Sequence, residues 1–343
     1  MDGIRLDTFK PHFLLRNKHV QTMYATFFRK PISLDIEREM FELSDGDFVE
    51  CFWLDKPKQG DKTPIVVLFH GLEGSYESPY IQGMMQALQA NGYACVLMHF
   101  RGCSGKNNRL PRSYHSGDTA DANAWFAHLE ESFPESSLYA VGYSLGGNML
   151  LKLLGESGEK SLLKGAVAIS APMLLSNSAE TITKGTARVY QQYLLKPLKQ
   201  KLLEKYQQHD MESLLGKSLS QVKNIKTVRE FDDVYTSKIN GFKDAEDYYE
   251  QNSAQQFLPT IRTKTLIIHA LDDPFMTPVV LPNRVLGSIE GIQQNAKNDG
   301  MPSCVEFSIQ QYGGHVGFVG GTPLKPTYFI EERVIRFLDE QGK

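Results

Sequence analysis

The stretch LYAVGYSLGGNMLLKLL, residues 138–154, decides the fold of this chain. It begins with a short apolar run typical of a buried strand and ends with the spacing of a helix. Between them, Gly142 and Gly146 each lie two residues from Ser144. Such G-x-S-x-G spacing is typical of a strained turn that exposes a nucleophilic serine, because small neighbours let strand and helix approach closely. A glycine-rich turn in which Ser144 only caps the helix is the alternative, and the strand and helix on either side favour the nucleophile.

Apolar runs of the same kind recur along the chain, with helical patterns between them. The runs cover residues 64–71, 93–100, 137–144, 165–172, 264–271 and 304–312, and the helical patterns cover 80–91, 119–133, 145–155 and 328–340. Before them, Asp45-Gly46 separates two stretches of alternating polarity, which indicates an antiparallel hairpin. The sequence therefore predicts an α/β fold with a doubly wound, mostly parallel sheet and an antiparallel hairpin at its N-terminal side.

A serine hydroxyl attacks a carbonyl group only when a base removes its proton and a third group orients that base. Candidates for both roles follow later strands: Asp272 and Asp273 come after one apolar run, and His315 lies between glycines after the next. In parallel sheets the carboxyl ends of the strands meet at one edge, where the chemistry lies. We therefore predict a triad of Ser144, His315 and an aspartate. Of two candidates for the aspartate, Asp273 is favoured, and Asp272 is expected to be a loop or N-cap acid.

Acyl transfer through a serine also needs N–H groups that stabilise the oxyanion of the tetrahedral intermediate. One candidate is the backbone N–H of Leu145, directly after the nucleophile, and the other is that of Leu72, in the loop after an early strand. Three residues are candidates for lining the site: Tyr143 inside the serine turn, His115 in a polar loop, and Asp272 beside the favoured acid. Three other histidines end apolar strands and are expected to be structural: His70, His99 and His269.

One long segment interrupts the alternation of strands and helices. Residues 173–259 contain helical spacing without a strand pattern, and they are far too many for an ordinary connection. Because the predicted triad residues lie on both sides of this segment, two domains in series would separate them. We therefore expect one catalytic domain, formed by residues 1–172 and 260–343 with an N-terminal extension at about 1–36, and a helical cap inserted at 173–259.

Composition and charge exclude several classes of protein. The 343 residues are 41% hydrophobic, as in globular domains, and contain 37 Lys and Arg against 40 Asp and Glu, so nucleic acid is not an expected partner. Four scattered cysteines form no C-x-x-C pair, which argues against disulfides and zinc and favours a cytoplasmic location. No stretch reaches the roughly 18 apolar residues of a membrane-spanning helix. We expect neither a metal nor an organic cofactor.

Nine segments between residues 19 and 321 carry a family resemblance. They are His19-Val20-Gln21-Thr22, DGDFVE (45–50), FHGLEGSYESPY (69–80), HFRGCSGKNNR (99–109), YHSGDT (114–119), GYSLGGNML (142–150), REFDD (229–233), ALDDPFM (270–276) and GGHVGFVGG (313–321). In these segments the chain resembles the YheT-like branch of the α/β-hydrolase superfamily. The resemblance implies a serine hydrolase of the carboxylesterase or lipase kind, which acts on short to medium acyl chains without a cofactor. Matched to the family's pattern, the triad falls on Ser144, Asp273 and His315.

The same triad serves several reactions, so a thioesterase, a lipase or phospholipase and an acyltransferase are alternatives to a carboxylesterase. A catalytically silent α/β hydrolase that binds a small ligand is a further alternative. Membrane insertion is not expected. However, five residues of a basic segment have helical spacing that suits either weak peripheral contact with a membrane or core packing: Val20, Met23, Tyr24, Phe27 and Phe28. The expected partner is a small-molecule ester, and the sequence leaves the oligomeric state open.

Overall fold

The computed structural model describes residues 4–6, 9–289 and 300–342, and nine strands of this part form one sheet. They are β1 (Ile4–Leu6), β2 (Glu37–Glu42), β3 (Phe48–Leu54), β4 (Ile65–Phe69), β5 (Ala94–Met98), β6 (Leu138–Tyr143), β7 (Leu163–Ile169), β8 (Lys264–Ala270) and β9 (Val305–Gln310). The order across the sheet is β1-β9-β8-β7-β6-β4-β5-β3-β2. Only β3 pairs antiparallel with its neighbours, β2 and β5. This topology confirms the doubly wound, mostly parallel sheet with an antiparallel hairpin.

Two strand features were not predicted from the sequence. Strand β1 lies beside β9 at the edge of the sheet, and a separate antiparallel hairpin of β10 (Val319–Thr322) and β11 (Lys325–Tyr328) follows the loop that contains His315. These strands are three or four residues long, which is too short for a periodic pattern. Residues 1–3 and 7–8 of the expected N-terminal extension lie outside the described residues.

Helices cover both faces of the sheet. They are α1 (Lys18–Phe28), α2 (Pro79–Ala90), α3 (Thr119–Ser132), α4 (Leu145–Ser157), α5 (Leu175–Thr181), α6 (Ala187–Gln208), α7 (Met211–Leu215), α8 (Leu219–Lys223), α9 (Val228–Phe231), α10 (Ser237–Ile239), α11 (Ala245–Asn252), α12 (Asn283–Ile289) and α13 (Phe329–Glu340). Buried residues of α3 and α4 share one core cluster with Val67, and those of α2 and α13 share the other with Val66 and Leu68. Because successive strand side chains point to opposite faces, a nearly continuous apolar strand such as β4 serves both layers.

Between β7 and β8 the regular structure is entirely helical, from α5 to α11. On α6, Leu198 and Leu202 pack with Phe231 and Tyr235 in a core cluster of their own, apart from the two clusters of the sheet. Leu72, in the loop after β4, also packs against this cluster. The helical segment therefore lies against the loop that the sequence assigns to the active site. The boundaries of a catalytic domain and an inserted cap stay a prediction.

Candidate active site

Ser144 lies at the sharp turn between β6 and α4. Its backbone has a φ of 50° and a ψ of −117°, a strained conformation that residues other than glycine rarely adopt. A Cβ atom on Gly142 would lie 2.4 Å from the carbonyl oxygen of Gly146, and one on Gly146 would lie 2.6 Å from the carbonyl oxygens of Phe69 and His70. The two glycines are therefore required, because backbone packs directly on backbone on both sides of the serine.

Ser144, His315 and Asp273 form a continuous chain of hydrogen bonds. The Nε2 atom of His315 lies 2.9 Å from Oγ of Ser144, and its Nδ1 atom lies 2.8 Å from Oδ2 of Asp273. The Asp273 side chain is fully buried, and its other oxygen accepts a hydrogen bond from the N–H of Phe275. In this arrangement the carboxylate orients the imidazole, and the imidazole can take the proton of the serine hydroxyl.

The three groups meet because each follows the carboxyl end of a strand. Ser144 follows β6, Asp273 follows β8 and His315 follows β9, and these strands lie near one another in the sheet. Asp272, the competing candidate for the acid, instead accepts a hydrogen bond at 2.9 Å from the N–H of Gly314. The carboxylate bonded to the imidazole is thus that of Asp273, and Asp272 supports the backbone of the histidine loop.

The imidazole of His315 is also held by an aromatic ring. Phe275 stacks on it with ring centroids 4.0 Å apart and an angle of 9° between the planes. Phe275 also contacts Tyr190 of α6, with ring centroids 5.1 Å apart. The sequence analysis did not identify Phe275, although it lies only two residues after Asp273 in the quoted segment ALDDPFM. These contacts restrict rotation of the imidazole away from Ser144.

Two backbone amides are suitably placed to stabilise an oxyanion. The N–H of Leu145 belongs to the first turn of α4, where backbone donors have no partner within the helix and the helix dipole favours negative charge. Leu72 follows Gly71, on which a Cβ atom would lie only 3.3 Å from Cβ of Ser144. Among the residues that the structure describes, neither Leu72 nor Leu145 donates its N–H to a protein acceptor. Both amides are therefore available to a ligand.

His70 and His99 hold the loops around these amides as neutral rings. Burial lowers the pKa of His70 to about 3 and that of His99 to about 4. The Nε2 atom of His70 accepts a hydrogen bond from the N–H of Phe100, and Nε2 of His99 accepts one from the N–H of Tyr76. Each ring therefore ties the end of one strand to a neighbouring loop, as expected of structural histidines. His269 is buried in the same way, which lowers its pKa to about 4.

A cavity of about 80 Å³, partly open to solvent, lies between the sheet edge and the helical segment. Both candidate oxyanion residues, Leu72 and Leu145, border it, and so does His115. Burial lowers the pKa of His115 to about 3, so this ring is a neutral part of the wall. The opposite wall comes from the helical segment and includes Leu198, Lys201, Leu202, Phe231 and Tyr235.

Tyr143 does not line this cavity, although it directly precedes Ser144. Its ring is buried and packs on Tyr80 of α2, with centroids 4.7 Å apart, in the core cluster on the other face of the sheet. The reason is the alternation of side chains along β6, which directs Tyr143 away from the face where α4 packs. Of the residues expected to line the site, the structure brings His115 to the cavity and leaves Tyr143 outside it.

An ion pair that the sequence analysis missed joins the loop after β4 to the helical segment. Nζ of Lys201 on α6 lies 2.6 Å from Oε2 of Glu73, the residue after Leu72. The Glu73 side chain is buried, and its N–H and its other oxygen both bond to the hydroxyl of Tyr114, each at 2.9 Å. No local pattern marks Lys201, because it is one of several lysines on a basic helix.

In the part of the chain that the structure describes, no three His, Cys, Asp or Glu side chains are grouped as a metal site would require. Of the helices in the same part, none is both long enough and apolar enough to span a membrane.

Comparison with known proteins relates this geometry to a family. A family model described as alpha/beta hydrolase fold matches residues 64–283. The Escherichia coli protein named "Putative esterase YheT" is 43% identical over 318 residues, which cover 93% of this chain and 89% of that protein. The Mus musculus protein named "Phospholipase ABHD3" is 27% identical over 344 residues, covering 98% of this chain and 80% of that protein.

Solved structures agree on the fold. The Pyrococcus furiosus esterase Pf2001 has a TM-score of 0.55 to this chain at 15% sequence identity, covering 90% of this chain and 92% of that one. At this identity the likeness concerns the fold alone. The extent of the family-model match and the 43% identity over nearly the whole chain show that this protein belongs to the α/β-hydrolase family, in the branch that contains YheT.

Proposed function

We propose that this protein is a serine hydrolase that cleaves carboxylic esters through Ser144, His315 and Asp273. The observation that carries the proposal is the unbroken chain of hydrogen bonds from the hydroxyl of Ser144 through the imidazole to the buried carboxylate. Relatives named as an esterase, a phospholipase and a monoacylglycerol lipase support an ester of a carboxylic acid as the substrate.

The reaction proceeds in two steps. Oγ of Ser144 attacks the ester carbonyl while Nε2 of His315 takes its proton, and the N–H groups of Leu72 and Leu145 stabilise the oxyanion that forms. The imidazolium, stabilised by Asp273, then gives the proton to the departing alcohol, which leaves an acyl group on Ser144. Water activated by the same imidazole hydrolyses this acyl-enzyme, releases the acid and restores the serine. No step needs a metal or an organic cofactor.

We propose that the acyl chain binds in the cavity beside Leu72 and Leu145. Its walls include the apolar side chains of Leu72, Leu198, Leu202 and Phe231, which suit a hydrocarbon chain. Because two of these walls belong to α6, the length of the acyl chain is limited by the helical segment. We therefore propose that residues 173–259 act as a cap and that the substrates carry short to medium acyl chains.

Replacement of the nucleophile tests the proposal. Ser144→Ala should abolish hydrolysis of p-nitrophenyl esters from C2 to C12 and labelling by a fluorophosphonate probe, in a protein that still unfolds cooperatively. Ser220→Ala is a matched control, since Ser220 is exposed on α8 away from the site, and it should keep the activity of the wild type. Wild-type activity in Ser144→Ala would overturn the assignment. Faster turnover of acyl-CoA esters than of simple esters would indicate a thioesterase, and transfer of the acyl group to an added alcohol would indicate an acyltransferase.

We also propose weak contact between α1 and the surface of anionic membranes. Phe27 and Phe28 are 71% and 69% exposed, whereas Tyr24 is buried. Residues 9–34 contain five Lys and Arg and no Asp or Glu, so the charge around the exposed rings suits anionic lipid. Co-sedimentation with vesicles of anionic lipid should decrease with salt and with Phe27→Ser/Phe28→Ser. Equal recovery with neutral vesicles, or none with either, would contradict the proposal.

A further inference from the structure

The N-terminal helix α1 is in direct contact with the loop that holds the predicted catalytic base. The backbone N–H of His315 donates a hydrogen bond at 3.0 Å to Oγ1 of Thr22. A Cβ atom on Gly314 would lie 2.5 Å from the carbonyl oxygen of Lys18, and one on Gly317 would lie 2.2 Å from that of Gln21. Helix and loop therefore touch backbone to backbone on both sides of the histidine, with no room for a side chain between them.

A fully buried glutamine fastens the same helix beyond the loop. Oε1 of Gln21 accepts a hydrogen bond from the N–H of Val319, and Nε2 donates to the carbonyl oxygens of Val319 and Leu15. The amide side chain thus pairs with the first residue of β10 in the way a neighbouring strand would. Because an unpaired amide in this buried position would be costly, the helix and the end of the histidine loop are held in one relative position.

His19, one turn before Thr22 on the same helix, contacts the helical segment. Nδ1 of His19 lies 3.0 Å from the hydroxyl of Tyr190, and Nε2 lies 3.0 Å from Oγ1 of Thr186, which precedes α6. The ring of Tyr190 packs on Phe275, and Phe275 stacks on the imidazole of His315. The contacts therefore close a ring that runs from α1 through α6 and Phe275 to His315 and back to Thr22.

We infer that α1 positions the catalytic base: Thr22 fixes the backbone of His315, and His19 fixes the imidazole through Tyr190 and Phe275. This inference rests on the proposed function. In the proposed reaction Thr22, His19 and Tyr190 do not touch the substrate, so they are positioning residues. The segment between β1 and β2 is then part of the active site, and it also couples the position of the base to the position of α6.

The hydroxyl groups in this ring can be removed one at a time. Thr22→Val replaces the acceptor for His315 by a methyl group of similar size, Thr22→Ser keeps it, and Tyr190→Phe keeps the ring but removes the hydroxyl that bonds to His19. Thr26→Val is the matched control, because Thr26 is exposed on the same helix. Displacement of a base by about 1 Å costs roughly 100-fold in rate.

We expect kcat for p-nitrophenyl butyrate to fall 10- to 100-fold in Thr22→Val and several-fold in Tyr190→Phe, with KM within twofold of the wild type. The rate of fluorophosphonate labelling should fall in parallel, and Thr22→Ser and Thr26→Val should stay within twofold of the wild type. A general loss of structure would not produce this separation of kcat from KM or the rescue by serine. If Thr22→Val does not fold, Tyr190→Phe alone decides the matter.

Wild-type kcat in a folded Thr22→Val protein, or in Tyr190→Phe where that variant decides, would overturn the inference. An equal fall of kcat in Thr26→Val would do the same. These results are distinct from failure of the proposed function, which would appear as activity in Ser144→Ala. Loss of activity in Ser144→Ala together with full activity in both Thr22→Val and Tyr190→Phe rejects only the role of α1.

Discussion

Nδ1 of His315 lies 2.8 Å from Oδ2 of Asp273. The residue directly before it, Asp272, is also an aspartate but does not bond to this ring. The difference lies in the turn after β8, which buries the Asp273 side chain beneath the imidazole and directs Asp272 to the N–H of Gly314. The two neighbouring carboxylates therefore have different partners: Asp273 bonds to the imidazole, and Asp272 bonds to the backbone of the loop that carries it.

Because the two carboxylates have different partners, replacing each by asparagine should have unequal effects on kcat. Asp273→Asn should lower kcat about 10⁴-fold, because an amide does not stabilise the imidazolium and favours the wrong tautomer. Asp272→Asn should lower kcat less than about tenfold, since an amide oxygen can still accept the hydrogen bond from Gly314. Steady-state hydrolysis of p-nitrophenyl butyrate measures both. Equal losses in the two variants would show that the acid is not assigned correctly.

The serine turn should not tolerate a methyl group at Gly146. Because a Cβ atom there would lie 2.6 Å from two backbone carbonyl oxygens, Gly146→Ala should lower the free energy of unfolding by about 3 kcal/mol. Urea unfolding followed by fluorescence measures the change. Gly60→Asn is a suitable control, because Gly60 has open space around it and asparagine tolerates its φ of 88°. Equal stability of Gly146→Ala and the wild type would contradict the close approach of strand and helix.

Replacing Lys201 alone should cost more stability than the ion pair of Glu73 and Lys201 contributes. Lys201→Met leaves the Glu73 carboxylate buried without its cation, so the free energy of unfolding should fall by about 3 kcal/mol. Glu73→Gln in the same protein removes that charge and should restore part of the loss. A double-mutant cycle from urea unfolding gives the coupling energy. Additive effects would mean that the two side chains do not interact in solution.

The size of the cavity should determine which acyl-chain length of the ester substrate is preferred. Leu202→Trp fills space between α6 and the oxyanion loop, so kcat/KM for the longest good ester should fall at least about tenfold, while that for the acetate ester changes little. A series of p-nitrophenyl esters from C2 to C12 measures this shift. Leu214→Trp, at a half-exposed position on α7, should leave the profile unchanged. An unchanged profile in Leu202→Trp would place the acyl chain elsewhere.

Buried histidines should stay neutral well below pH 6. Burial lowers the pKa of His70 and His115 to about 3 and that of His99 and His269 to about 4. The unfolded chain takes up protons near pH 6.5 and the folded one does not, so each ring lowers the free energy of unfolding by about 1 kcal/mol between pH 7 and 5.5. In NMR spectra of protein with isotope-labelled histidine, four imidazole signals should not shift between pH 7.5 and 5. Titration of these signals near pH 6.5 would contradict their burial.

Local patterns were enough to predict the catalytic core. The glycines around Ser144 are a steric requirement of one turn, so they are visible within five residues. Buried parallel strands must be apolar along their whole length, which made β4 to β9 recognisable. Since such strands end at a common edge, the order of Ser144, Asp273 and His315 along the chain already predicted that they meet.

Only the tertiary structure shows which residues surround Ser144, Asp273 and His315. Thr22 bonds to His315 across 293 residues of sequence, and Lys201 reaches Glu73 from a helix that no periodic pattern orients toward the loop. Tyr143 lies next to Ser144, but its side chain packs on the face of the sheet opposite α4. Side-chain periodicity reports which residues are buried within an element. It carries no information on which elements face each other, because that is set by packing between segments distant in sequence.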